Sequence, residues 1–147
     1  MGIPGTDNPC VFCAIAAGRG EASRVHEDEH VVAFLDIRPV TTGHLLVVPR
    51  LHAASLETLP EDCGARVFQV AQRLARALRR SGLPCEGVNL LLADGAVAGQ
   101  EVFHVHLHVI PRTAGDGFGL RAQPSTPGHG ELAAAAERIR AAGIALA

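Results

Sequence analysis

The sequence predicts an α+β domain built around an antiparallel sheet, and three observations carry that reading. Short strand-like runs follow one another over 24–48 at hairpin spacing, and one long helical run at 61–80 stands apart from them. Residues 104–112, His-Val-His-Leu-His-Val-Ile-Pro-Arg, then alternate His with aliphatic side chains at the period of a strand. With 147 residues, no internal repeat and no internal boundary, the chain is expected to form one domain with a core of its own. Hydrophobic residues make up 48% of it and aromatic ones only 3%, so Leu, Val, Ile and Ala must do the packing.

Each element has its own signal. Residues 11–18 read as a short helix closed by Gly18 and Gly20. Segments 24–28 and 30–35 are strands joined by a tight acidic turn, and 43–48 is a nearly continuous apolar strand that Pro49 stops. Residues 61–80 are the clearest helix. Val67, Val70, Leu74, Ala77 and Leu78 keep helical spacing, arginines decorate the remainder, and Ser81-Gly82 ends it. A strand at 87–93 leads through a Gly-rich turn at 94–100 into the His run. Residues 113–129 read as loop, and 131–142 as a short Ala-rich helix.

In the His run, Val105, Leu107 and Val109 are expected to face a core, with His104, His106 and His108 on the opposite face. Solvent-facing strand positions are ordinarily filled by Lys, Glu, Thr and Arg, so three His point to metal or phosphate chemistry. Four residues of strand separate the Cα atoms of His104 and His108 by about 13 Å, at roughly 3.3 Å per residue. One ion cannot comfortably take all three, so the triad divides between metal and chemistry. Cys10-x-x-Cys13 has the two-thiolate spacing of structural zinc, and two His are its natural completion because no second such pair follows. Cys63 and Cys85 lack partner spacing and read as idle or buried thiols. His26, His30 and His129 read as ordinary surface His.

A net charge of -2 argues against nucleic acid as a bulk electrostatic partner. Residues 1–7 show no basic region followed by an apolar run, so no signal peptide is expected, and every apolar run falls far short of a membrane span. A cytoplasmic enzyme or binding protein is the expectation. In that setting four Cys are metal ligands or plain thiols rather than disulfides.

The His run with Gly99-Gln100 ahead of it is joined by Phe34-Leu35-Asp36-Ile37-Arg38-Pro39, Gly43-His44-Leu45-Leu46-Val47-Val48-Pro49-Arg50-Leu51-His52 and Cys10-Val11-Phe12-Cys13. Together they resemble the histidine-triad (HIT) nucleotide-binding and hydrolase family, in its zinc-bearing bacterial type. The resemblance covers a motif-bearing core of about 9–112 and leaves a C-terminal loop and helix at 113–147. It implies a HIT domain over 1–147, with a five-stranded antiparallel sheet and two main helices. It also implies a homodimer, with the 61–80 helix and a sheet edge at its interface.

The same resemblance implies a structural zinc on Cys10, Cys13, His52 and His104, a closed ligand set with no position for water. It implies a nucleotide hydrolase or nucleotidyl transferase acting at the α-phosphate of nucleoside phosphoramidates or dinucleoside polyphosphates. His106 would attack phosphorus and form a nucleotidyl-histidine, while His108 hydrogen-bonds phosphate oxygens and the departing group. A purine nucleotide is the expected substrate. Phe12, Ile15, Phe34, Leu35 and Ile37 would line its base pocket, Asp36 would accept from ribose hydroxyls, and N–H donors of Gly99, Gln100 and Glu101 would cradle phosphate. His44 would support the site without ligating.

Two positions depart from the family pattern. Ala93 stands where Asn or Gln is usual, and Glu101 where a small hydroxyl residue is usual, so a carboxylate pointing inward there would repel phosphate. Those departures motivate a second reading, a nucleotide-binding module with weak or no turnover. A third is a zinc-catalysed hydrolase with metal on the triad itself.

Overall fold

The computed structural model describes residues 10–143; the leader reading of residues 1–7 and the start of the core at Pro9 lie outside them. Strands β1 (Arg24–Glu27), β2 (Val31–Leu35), β3 (Leu45–Pro49), β4 (Gly87–Leu91) and β5 (Leu107–Arg112) form one antiparallel sheet in the order β1-β2-β3-β5-β4. Helix α2 (Glu61–Arg80) covers one face, and the short α1 (Val11–Ala16) covers the other. Val31, Ala33, Leu45, Val47, Leu107 and Val109 pack with α2. Val32, Phe34, Leu46 and Val48 pack with Phe12, Ile15 and Ala16 of α1. Both faces of β2 and β3 are therefore dry, which is why 43–48 is apolar without alternation. Pro49 proves to be the last residue of β3 rather than the first beyond it.

Helix α2 lies where its periodicity places it. Glu61 and Asp62 begin it and Arg79 and Arg80 end it, each charge complementing the helix dipole. Its buried stripe uses Ala71, whereas Ala77, expected in that stripe, is exposed. The last helix, α3 (His129–Ala141), buries none of its residues. No helix among the described residues is long and apolar enough to cross a membrane.

Two charged anchors hold the elements that carry the site. Arg24 and Arg50 donate to the terminal carbonyls of α1, Arg24 to Ile15 and Arg50 to Ala16, capping a helix too short to hold itself. Asp28 closes the β1–β2 turn by accepting from the N–H groups of His30 and Val31, and pairs with His26 and with Arg66 of α2. Desolvation works to raise that carboxyl. The bonds from His26, His30, Arg66 and Val31 outweigh it and hold the group well below the usual carboxylate range. His26, expected to be an ordinary surface His, is thus part of a fold-bracing network.

The His run departs from its expectation in one informative way. Leu107 and Val109 face the α2 core, and His108, opposite Leu46, faces the α1 side, as alternation requires. The strand, however, begins only at Leu107. His104 and His106 lie ahead of it, where Val105 N–H bonds the carbonyl of Ala53 instead of a neighbouring strand (2.8 Å). Both His are almost fully buried, so no solvent-facing row exists.

Candidate active site and metal centre

The N-terminus of α1, the loop after β3 and the first His of the triad converge on one point. Cys13 Sγ lies 3.2 Å from His52 Nδ1 and 3.4 Å from His104 Nδ1, Cys10 Sγ lies 3.5 Å from His104 Nδ1, and the two Nδ1 atoms are 3.2 Å apart. A tetrahedral zinc with sulfur at about 2.3 Å and nitrogen at about 2.0–2.1 Å has N···N and N···S edges of about 3.3–3.6 Å. The four donor atoms already stand close to that tetrahedron. His104 Nε2–H donates to the Pro49 carbonyl (2.8 Å), which strips Nδ1 of its proton and aims a lone pair into the cluster. Burial, with neighbouring Cys10 adding to it, pushes the Cys13 thiol up to about 11, so an arriving ion must displace that proton.

The same reasoning sets the tautomers of the other imidazoles. His106 Nδ1–H donates to the carbonyl of His104 (2.8 Å), leaving Nε2 as a bare lone pair. His44 Nδ1 accepts from Val40 N–H (3.2 Å), so its proton sits on Nε2 and donates to His108 Nδ1 (2.9 Å). His108 therefore carries its own proton on Nε2. Burial lowers His44, and burial followed by the neighbouring imidazoles lowers His108 to about 4, so both are neutral at neutral pH. Asp36 Oδ2 lies 3.7 Å from His44 Nε2 and completes a trio of donor atoms within 4.8 Å of one another. The two imidazoles are joined by a hydrogen bond, with Asp36 beside them as a charged neighbour, and the proton on His44 Nε2 points at His108 where an ion would need a lone pair.

His106 and His108 line a cavity of about 560 Å³ between α1, the β2–β3 loop and the loop ahead of the triad. Phe12, Ile15 and Phe34 form its buried apolar floor, with the Phe12 ring edge-on to Phe34 at 5.6 Å and to His106 at 5.1 Å. Leu35, Asp36 and Ile37 form its rim, and Gly99 and Glu101 line it from the opposite loop. Of the expected substrate-binding residues, Gln100 alone does not line it. Its amide is turned under the loop, accepting from Gly95 N–H and donating to the carbonyls of Ala54 and Val102. Among the expected backbone donors, the N–H groups of Gly99 and Gln100 are taken by the carbonyls of Ala96 and Gly95. Only that of Glu101 has no acceptor among the described residues.

The Glu101 carboxylate is engaged by a guanidinium that lines the same cavity. It pairs with Arg38 at 3.0 Å, and both side chains are largely exposed. Arg38 and Glu21 line the same cavity and were not singled out by sequence reasoning. A guanidinium two residues from Asp36 was a usable signal for the first, whereas nothing in the sequence marks the second. Cys63 and Cys85 stand apart from both sites; Cys85 packs against the α2 core, its Sγ near the Gly87 carbonyl.

Known proteins resemble this chain in sequence and in fold. The Bacillus subtilis protein named hit is 46% identical over 111 residues, which are 75% of this chain and 76% of its own length. Adenylylsulfatase HINT3 of Arabidopsis thaliana is 36% identical over 109 residues, 74% of this chain and 55% of its own length. A zinc-bound histidine triad family protein from Mycobacterium smegmatis superposes with a TM-score of 0.73 at 44% identity, covering 91% of this chain and 97% of its own. A histidine triad nucleotide-binding protein from Candida albicans gives a TM-score of 0.82 at 30% identity, covering 90% and 96%. The HIT domain family matches residues 18–115, a span that takes in the whole sheet, α2, His44, His52 and the triad, and the chain belongs to that family.

Proposed function

We propose that this chain is a zinc-stabilised nucleotide hydrolase or nucleotidyl transferase. It acts at the α-phosphate of nucleoside phosphoramidates or dinucleoside polyphosphates, with a purine nucleotide as substrate. The tautomer of His106 carries the reading: its Nδ1 proton is committed to the His104 carbonyl, so the lone pair on Nε2 belongs to a residue lining an apolar-floored cavity. Nε2 attacks the α-phosphorus and the bond to the leaving group breaks. His108 Nε2–H donates a hydrogen bond to the phosphate oxygens and the departing group, and an amine leaves with a proton that its nitrogen has taken up from water. Water then cleaves the bond between phosphorus and His106 Nε2, gives up its proton to solvent and frees the nucleoside monophosphate with His106 restored. Asp36 holds the ribose hydroxyls, and Phe12, Ile15, Phe34, Leu35 and Ile37 hold the base. The fit of Cys10, Cys13, His52 and His104 supports a resident zinc with a structural role.

The test is a quenched single turnover with adenosine phosphoramidate or diadenosine tetraphosphate. Mass spectrometry is expected to find a nucleotidyl adduct on His106. Nucleotide binding with neither adduct nor product would hand the site to the binding-module reading.

The proposal extends to a homodimer in the cytoplasm. Among the described residues β4 is an edge strand paired only with β5, and an open edge needs covering. Light scattering at micromolar concentration is expected to return twice the chain mass, and a monomeric mass would refute this part.

A further inference from the structure

The inference rests on the nucleotide reading above and concerns charge. Among the described residues, four side chains that carry full charge line the cavity: Glu21, Asp36, Arg38 and Glu101. Three are carboxylates. The single guanidinium among them is already engaged, with Arg38 NH2 3.0 Å from Glu101 Oε2. His44 and His108 add no positive charge, since burial keeps them neutral. A site for a polyphosphate is ordinarily lined by cations that stay free to meet each phosphate. This cavity shows the opposite balance.

We infer that Glu101 makes this site selective for a nucleoside bearing one α-phosphate with a neutral or cationic leaving group, an amine above all, and turns polyphosphate chains away. The chemistry agrees with the charge. When His106 Nε2 bonds to phosphorus and the phosphorus–nitrogen bond of a phosphoramidate breaks, the electron pair goes to the amine nitrogen. That nitrogen already carries a proton taken from water, His108 Nε2–H hydrogen-bonds it as it leaves, and the amine departs neutral. A polyphosphate leaving group departs as an anion. A neutral imidazole offers it one hydrogen bond, and the guanidinium that would stabilise it must first be pulled from Glu101.

Because Arg38 and Glu101 are largely exposed, solvent and salt screen them and the selection is modest, on the order of tenfold. The zinc-loaded protein is expected to bind AMP about tenfold more tightly than ATP by calorimetry. Glu101→Gln frees Arg38 and is expected to close most of that gap, Arg38→Gln to widen it, and high salt to flatten both effects. The turnover ratio of adenosine phosphoramidate to diadenosine tetraphosphate should move the same way. ATP binding as well as AMP to the wild type, or a ratio that Glu101→Gln leaves unmoved, overturns the inference. An AMP preference with the expected variant pattern but no turnover would remove the hydrolase reading and leave this one standing. No nucleotide binding at all would remove both.

Discussion

Replacing His106 by Asn is expected to abolish turnover, by at least about 10⁴-fold, while the chain still folds and still binds nucleotide. An Asn amide can reach for the His104 carbonyl as the imidazole does, but its nitrogen has no lone pair able to bond to phosphorus. The ring is packed edge-on against Phe12 and almost fully buried, so its loss should cost about 1–2 kcal/mol of stability, less than the fold can spare. His108→Asn should behave differently, slowing the reaction by about 10²–10⁴-fold while adduct formation remains detectable. Burial lowers His108 to about 4, so it is neutral above that pH and its Nε2 proton persists through the neutral range. Its titration should therefore leave the rate unchanged between about pH 5 and 8. Single-turnover rates and thermal unfolding of each variant check these statements. A His106→Asn protein within tenfold of the wild type would end the covalent reading.

Removing the metal is the second large effect. Chelation, or Cys13→Ser, should lower stability by about 3–5 kcal/mol and the melting temperature by about 10–15 °C. Four donor atoms set for a tetrahedral ion repel one another without it, and the two Nδ1 atoms 3.2 Å apart cannot both keep bare lone pairs aimed at an empty centre. At temperatures where the stripped protein remains folded, turnover should persist within about tenfold, because no ligand of the ion is asked to touch phosphorus. A melting temperature unmoved by chelation, with elemental analysis showing that metal had been present and was removed, would refute a structural role. The same assay separates the third reading, since a catalytic ion would take activity with it at every temperature. Affinity for the ion should weaken as pH falls, because the Cys13 thiol is held protonated when no ion is bound.

Much of this was legible in the residues. The strands, α2 and the division of the triad follow from spacing, because burial on a sheet or helix face repeats with fixed period. Cys-x-x-Cys is likewise a local pattern with a local meaning. What escaped is what depends on where neighbouring backbone lies. Period-2 alternation at 104–109 promised a strand from His104, yet the carbonyl of Ala53 captures Val105 and delays pairing until Leu107. Gly99, Gln100 and Glu101 looked alike as phosphate donors. A one-turn 3₁₀ helix at Ala96–Ala98, continuing into the loop, consumes two of the three N–H groups. Glu101 has a partner that no local pattern announces, Arg38, 63 positions away in sequence.

His104 faces two directions, and that limits what can stand there. Its ring offers Nδ1 to the cysteine cluster and Nε2–H to Pro49, while its own carbonyl holds the proton of His106. Zinc accepts cysteine as readily as histidine, so by coordination chemistry alone this ligand could be exchanged. The chain does not have that freedom. A cysteine side chain is shorter and bonds nothing at Pro49, so it could reach the ion only by drawing the backbone inward and carrying the His104 carbonyl with it. His106 would then lose the acceptor that selects its reactive tautomer. A His104→Cys protein that binds its metal in full should still be a poor catalyst, a fault that no metal analysis would reveal.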